Sequence, residues 1–325
     1  MDLTAEQIRN GGMWPASEPF DRRMLGRDNG HSLYIEQCGN PRGRPVIVLH
    51  GGPGGGCSPF MRQFFDPRHW RIVLFDQRGC GRSTPHAAVA ANTTQDLIGD
   101  IEAIRAALDL GPVVSFGGSW GATLALAHAQ AHPQAVEALI LRGVFLARRQ
   151  DVDWFYGGGA GQFFPDLWAA FRAPIPEPER GDMVAAYHRR LFCGDRATEL
   201  FHARIWTRWE NALSGLHAPL GDSGITPEHA HAFARLECHY FHNACFLAEG
   251  QLLADRDRIR HIPAIIVHGR QDVICRPEAS HTLAEGWPAA QLRLVAGAGH
   301  AMSEPAIAAE LLRAVQSLAI GRGAR

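Results

Sequence analysis

The sequence predicts an α/β fold: a mostly parallel central sheet flanked by helices, with an inserted helical cap. Three observations predict it. Short β-branched or apolar runs alternate with helical patterns along the chain. The later runs are nearly all apolar, as in strands covered on both faces rather than one. Between about Arg148 and Arg258 no strand candidate occurs.

Taken in order, His31–Glu36 alternates and reads as an antiparallel edge strand. Pro45–Leu49 (PVIVL), Arg71–Phe75 (RIVLF), Val113–Phe116 (VVSF) and Ala138–Leu141 (ALIL) read as buried strands, followed late in the chain by Ala264–His268 (AIIVH) and Gln291–Val295 (QLRLV). Thr94–Leu108, Trp120–Ala131 and Glu304–Leu318 carry helical patterns, the second stopped at His132-Pro133. The strand-free stretch holds Trp154, Trp168, Trp206 and Trp209 on helical patterns parted by turns such as APIPEPERGD. Roughly 100 such residues far exceed the dozen or so that a simple crossover requires. They are expected to form a cap over residues 148–257, lying across the carboxyl ends of the strands, where open sheets bind ligands. Residues 1–147 and 258–325 are then expected to form the main domain.

Composition excludes several functions. The 325 residues carry a formal net charge of −1, which gives no electrostatic footprint for nucleic acid or an acidic membrane surface. No run approaches 18 apolar residues, so no transmembrane helix is expected. The opening MDLTAEQIRNGGMW lacks a basic segment followed by an apolar one, so a cytoplasmic location is expected. All 32 basic residues are arginine, which removes Schiff-base, Walker-type and Ser-Lys chemistry. Seven cysteines without a C-x-x-C pair, and 17 histidines without H-E-x-x-H, suggest neither a disulfide framework nor a metal site, and no cofactor is expected.

The strongest chemical signal is the run Val113–Gly121, in which an apolar strand enters G-x-S-x-G and passes directly into the helix beginning at Trp120. Small residues flank Ser119 because a nucleophile on a tight strand-to-helix turn has no room for side chains beside it. A serine hydroxyl needs a base, and the base an orienting acid, following along the chain in the order acid then histidine. Asp272 follows the strand AIIVH and His300 follows the strand QLRLV, both beyond carboxyl ends. His268 and His261 are rival bases, but one lies within a strand and the other before it. The loop His50-Gly-Gly-Pro-Gly-Gly-Gly56 has no lysine to cradle phosphate and reads as an oxyanion loop. Gly52, with Gly51 as its neighbouring alternative, would donate one backbone N–H and Trp120 the other. The run Asp76–Ser83 (DQRGCGRS) is expected to brace this site rather than react. Such an assembly is that of the α/β-hydrolase fold and points to acyl transfer to water.

The acyl group must be read from the cap. Glu210 in WTRWE and Glu237 in FARLE sit among aromatic residues on helical patterns. Two carboxylates under a cap would suit a cationic group such as a free α-amine. They could equally pair with Arg208, Arg235 or other arginines as ordinary helix salt bridges. An esterase or amidase using the same triad on an uncharged acyl group is the alternative, and a non-catalytic binding protein of this fold a more distant one.

The chain resembles the prolyl aminopeptidase (proline iminopeptidase) family of α/β-hydrolases. The resemblance rests on HGGPGGG (50–56), FDQRGCGRS (75–83), NTT (92–94), GGSWGATLALAHA (117–129), LRGVF (141–145), WTRWE (206–210), FARLECHYF (233–241), IPAIIVHGRQDVIC (262–275) and GAGH (297–300). It spans nearly the whole chain, cap included. It implies a serine exopeptidase acting on peptides with an N-terminal proline, with Ser119 as nucleophile, Asp272 as orienting acid and His300 as base. It further implies that Glu210 and Glu237 bind the substrate's amino terminus and that Phe145 helps wall the pyrrolidine pocket. Ala122 and Gln271 depart from residues common in the family, serine and tyrosine, and Gln271 is expected to alter how the cap meets the site.

Overall fold

The computed structural model describes residues 12–215 and 225–320. Eight strands form one sheet: β1 (Asp21–Gly26), β2 (Ser32–Gly39), β3 (Arg44–Leu49), β4 (Trp70–Phe75), β5 (Val113–Gly118), β6 (Val136–Arg142), β7 (Ala264–Gly269) and β8 (Ala290–Val295). Their spatial order is β1-β2-β4-β3-β5-β6-β7-β8. Pairing is antiparallel for β1–β2 and β2–β4 and parallel from β4 onward.

The sheet is covered on both faces, which explains the unbroken apolar runs. Along β3, Ile47 and Leu49 pack into one core with Val73, Phe75, Leu139 and Leu141, while Val46 and Val48 pack into a second with Ile72, Leu74, Val114 and Ile140. Successive residues of a strand face opposite ways, so two cores demand two apolar sets from one strand. Helices α1 (Thr94–Ala107) and α2 (Trp120–Ala131) contribute to the first core. The C-terminal helix, Pro305–Ile320, covers the second through Ile307 and Leu311. Helix α1 begins at a capping box, Thr93 accepting from the Asp96 backbone while the Asp96 carboxylate accepts from that of Thr93.

Two strands differ from expectation. The edge beside His31–Glu36 is occupied by β1, whose sequence DRRMLG is mostly exposed and carries no alternation to read. At the other edge β8 is only half buried, consistent with Gln291 and Arg293 in its run.

Between β6 and β7 the described residues form helices only. They include α3 (Arg149–Tyr156), α4 (Pro165–Arg172), α5 (Met183–Leu191), α6 (Arg196–Leu213) and α7 (Pro227–His242). These enclose a core of their own, in which Phe171 stacks on Tyr187 at 4.6 Å and Tyr156 stacks on Trp206 at 4.4 Å. Burying each such ring is worth about 1.5–3 kcal/mol, enough for this helical layer to hold its shape over the sheet. Ser119, Asp272 and His300 lie just beyond the carboxyl ends of β5, β7 and β8, on the side the helical layer covers. Among the described residues no helix is long and apolar enough to cross a membrane.

Candidate active site

Strand β5 passes into α2 through Ser119, at φ 58° and ψ −127°. Holding a serine there costs about 1–3 kcal/mol, and the turn survives because its flanks are glycine. A Cβ on Gly117 would lie 2.2 Å from the Gly121 carbonyl oxygen, and one on Gly121 would lie 2.1 Å from that of Leu49. Neither neighbour is a side chain that could swing aside. Gly121→Ala is therefore expected to destabilise the fold by about 3 kcal/mol or more, read as a lowered melting temperature. An unchanged melting curve would contradict this account of the turn.

The Asp272 carboxylate is saturated with donors. Its Oδ1 accepts from the Ile274 and Cys275 backbone N–H groups at 3.0 and 2.9 Å. Its Oδ2 lies 2.6 Å from His300 Nδ1 and 3.2 Å from His268 Nε2. Burial opposes ionisation, but the two imidazoles and the hydrogen bonds hold its pKa well below the usual carboxylate range. An ionised Oδ2 requires the proton on His300 Nδ1, which leaves Nε2 with the lone pair. That lone pair faces Arg142, whose Nη1 lies 2.9 Å from Nε2 and also donates to the His300 carbonyl at 2.9 Å. Burial and then Arg142 lower the His300 pKa against the pull of Asp272, so the ring is neutral and able to accept a proton. His268 is buried behind Asp272 and bonded to Ser280, while His261 is exposed at the other end of β7. Gln271 turns toward the His300 loop, its backbone and side chain both pairing with Ala298.

Ser119, His300, Gly51 and Gly52 line one cavity of about 230 Å³. Gly52 has φ 112°, and any Cβ there would strike the backbone of Gly54. Trp120 opens α2, so its backbone N–H is one of the donors without an intrahelical partner. Asp76 braces the loop from below, accepting from the Cys57 and Arg82 backbone N–H groups at 2.7 and 2.8 Å and from Arg82 Nε at 2.8 Å.

The helical layer closes the same cavity with Tyr156, Phe155, Phe233 and Phe241 and with three carboxylates, those of Asp151, Glu210 and Glu237, while Phe145 adds to its wall from the loop after β6. Phe145 and Phe241 meet edge to face at 5.7 Å. Asp151 is neutralised by Arg148 at 2.8 Å. Glu210 instead accepts from the Tyr156 hydroxyl, and Glu237 from Trp206 Nε1 at 2.7 Å. Neither has an arginine partner among the described residues: Arg235 sits 3.5 Å from Glu199. Burial raises the Glu210 pKa to about 7, and burial together with the facing Glu210 raises that of Glu237 well above the ordinary range. Two buried carboxylates lacking a cation form a ready receptor for one.

Sequence reasoning missed Arg142 and Tyr156. An arginine ending the apolar run ALILR was a usable signal, since a cation at the carboxyl end of a buried strand needs a partner there. Nothing marked Tyr156 ahead of its neighbours in DVDWFYGG.

Comparison with known proteins places this geometry. The α/β-hydrolase fold family matches residues 44–305. The proline iminopeptidase of Xylella fastidiosa (strain Temecula1 / ATCC 700964) is 52% identical over 296 residues, covering 90% of this chain and 95% of its own. That of Arabidopsis thaliana is 48% identical over 305 residues, covering 93% of this chain and 80% of its own. Among solved structures, an esterase from Exiguobacterium antarcticum superposes with a TM-score of 0.55 at 19% identity, covering 91% of this chain and 98% of its own. A bromoperoxidase from Bacillus anthracis gives 0.58 at 18%, with coverage of 92% and 99%. At such identities the structures speak for the fold alone.

Proposed function

The chain belongs to the proline iminopeptidase family of α/β-hydrolases, and from that membership we infer that it is a prolyl aminopeptidase, releasing N-terminal proline from peptides. Ser119 is the nucleophile, His300 its base and Asp272 the acid that orients the base. The observation that carries this reading is a single cavity lined both by Ser119 and His300 and by two carboxylates that meet no cation among the described residues. Residues 148–257 act as the cap that brings those carboxylates over the serine.

The reaction begins with the secondary amine of an N-terminal proline between Glu210 and Glu237 and its ring against Phe145 and Phe241. His300 Nε2 takes the Ser119 hydroxyl proton, for which Arg142 must give up its contact with that nitrogen while its bond to the His300 carbonyl can persist. Ser119 Oγ adds to the prolyl carbonyl, and the Gly52 and Trp120 N–H groups receive the oxyanion, each worth on the order of 3 kcal/mol. His300 then returns the proton to the leaving amine. Water, activated by the same imidazole, releases proline from Ser119. The carboxylates at the amine leave no room for residues upstream, which makes this an exopeptidase.

A panel of aminoacyl-naphthylamides tests the reading. Turnover is expected for the prolyl compound and not for its N-acylated form, and an enzyme preferring simple esters over both would overturn it. Arg142→Leu tests the contact with the base. With a nearby cation removed, His300 should protonate more readily, so the acidic limb of kcat/KM on an uncharged ester moves to higher pH. A limb that stays in place would refute that role.

A further inference from the structure

We propose that Gln77 is a positioning residue for the oxyanion site, tying together the two backbone donors that the reaction uses. The proposal rests on the serine-hydrolase reading above and deepens it. Gln77 follows β4 and is 2% exposed. Its Oε1 accepts from the Trp120 indole N–H at 2.9 Å, its Nε2 donates to the His50 carbonyl at 2.9 Å, and its backbone N–H donates to His50 Nε2 at 3.0 Å. One side chain therefore spans from the first residue of α2, Trp120, to the residue that starts the glycine loop.

The consequence runs through the His50 ring. With Nε2 accepting from Gln77, the ring proton belongs on Nδ1, which lies 2.9 Å from the Gly51 carbonyl oxygen and donates to it. Gly56 N also lies 3.2 Å from Nδ1, but it cannot be a full donor to a nitrogen that carries the proton. Burial favours the neutral ring that this arrangement needs. The Gly51 carbonyl receives a second donor, the Gly55 N–H at 3.1 Å. In a trans peptide the C=O and the following N–H point in opposite directions. Pinning the Gly51 oxygen inside the loop thus turns the Gly52 N–H outward, toward the cavity that Gly51, Gly52 and Ser119 line. The other end of Gln77 fixes the Trp120 indole, and with it the residue whose N–H is the second donor. An oxyanion site works because its dipoles are set before charge develops. Gln77 sets both.

The test is Gln77→Met, which keeps length and burial and removes both side-chain hydrogen bonds. Loss of an entire oxyanion donor costs about 100- to 1,000-fold in kcat, so loosening two donors is expected to cost about 10- to 100-fold. KM should stay within about twofold. Inhibition by prolinal, whose hemiacetal with Ser119 places an oxygen at the oxyanion site, should weaken by the same factor as kcat. Inhibition by proline, which forms no such adduct, should not change. A merely structural role would not separate the two inhibitors: kcat loss with undiminished prolinal affinity, or no loss of kcat, overturns the proposal. Trp120→Phe removes the indole N–H together with some ring volume and serves should Gln77→Met fail to fold. It should weaken prolinal but not proline, and the double variant should be no worse than Gln77→Met alone, whereas fully additive losses would overturn the link. The same variants assayed on p-nitrophenyl acetate keep the two readings apart. A wild-type chain active on that ester but not on prolyl-naphthylamide defeats the peptidase reading, while an equal kcat loss on the ester still supports Gln77.

Discussion

Asp272→Asn is expected to lower kcat about ten-thousand-fold with KM little changed, by analogy with the same substitution in other serine hydrolases. The reason here is one of proton placement. Oδ1 faces two backbone N–H groups, so the amide of an asparagine would keep its oxygen on that side. Its NH2 would then face His300 Nδ1, 2.6 Å from the present Oδ2. A donor at that position requires a lone pair on Nδ1 and drives the ring proton to Nε2. There it would confront the Arg142 N–H and leave no acceptor for the Ser119 proton. His268, whose Nε2 lies 2.8 Å from the Cys275 carbonyl as well as near Oδ2, offers no relief, because it too presents a donor. Steady-state kinetics on prolyl-naphthylamide check the prediction. A loss of only a few fold would mean that Asp272 does not fix the imidazole.

What could be read in advance followed from local sequence. Ser119, Asp272 and His300 each sit one turn beyond an apolar run, and a strand's carboxyl end is visible in sequence because the run stops there. The sheet was legible for a related reason: two cores draw on successive residues through the middle of β3 to β7, so most of these strands read as apolar runs. Strand β1 was hidden because an exposed edge asks little of its side chains. The partners of those residues were hidden for a different reason. Gln77 and Trp120 are joined by an indole hydrogen bond across 43 positions, and Arg142 reaches His300 across 158. No periodicity reports such pairs. Glu210 and Glu237 stood between: their residue types were suggestive, but whether they met an arginine or a void depended on how α6 and α7 pack.

Glu210→Gln is expected to reduce kcat/KM for prolyl-naphthylamide by about 100-fold or more, and Glu237→Gln by less because burial and Glu210 opposite keep Glu237 protonated. Both should leave turnover of an uncharged ester within about threefold. Removing one partner of a buried charge pair costs about 3 kcal/mol or more, which is about two powers of ten. The substrate cation supplies the countercharge that these carboxylates do not find among the described residues. The pH dependence has a definite sign. Above about pH 7 Glu210 is ionised and the pair can meet a cationic amine; as pH falls through about 7 Glu210 takes a proton and that attraction is lost. Glu237, raised further by burial and by Glu210 opposite, does not replace the charge. For the prolyl substrate kcat/KM should therefore decline on the acid side near pH 7. For the ester the limb belongs to His300, whose pKa is depressed below the usual imidazole value, and activity should persist to lower pH. In Glu210→Gln the limb near 7 should disappear for the prolyl substrate, leaving it the lower limb that it then shares with the ester. Coincident limbs in the wild type, or equal losses on amine and ester in the variants, would remove the carboxylates from substrate recognition and leave a hydrolase whose preference for proline must come from the aromatic wall alone.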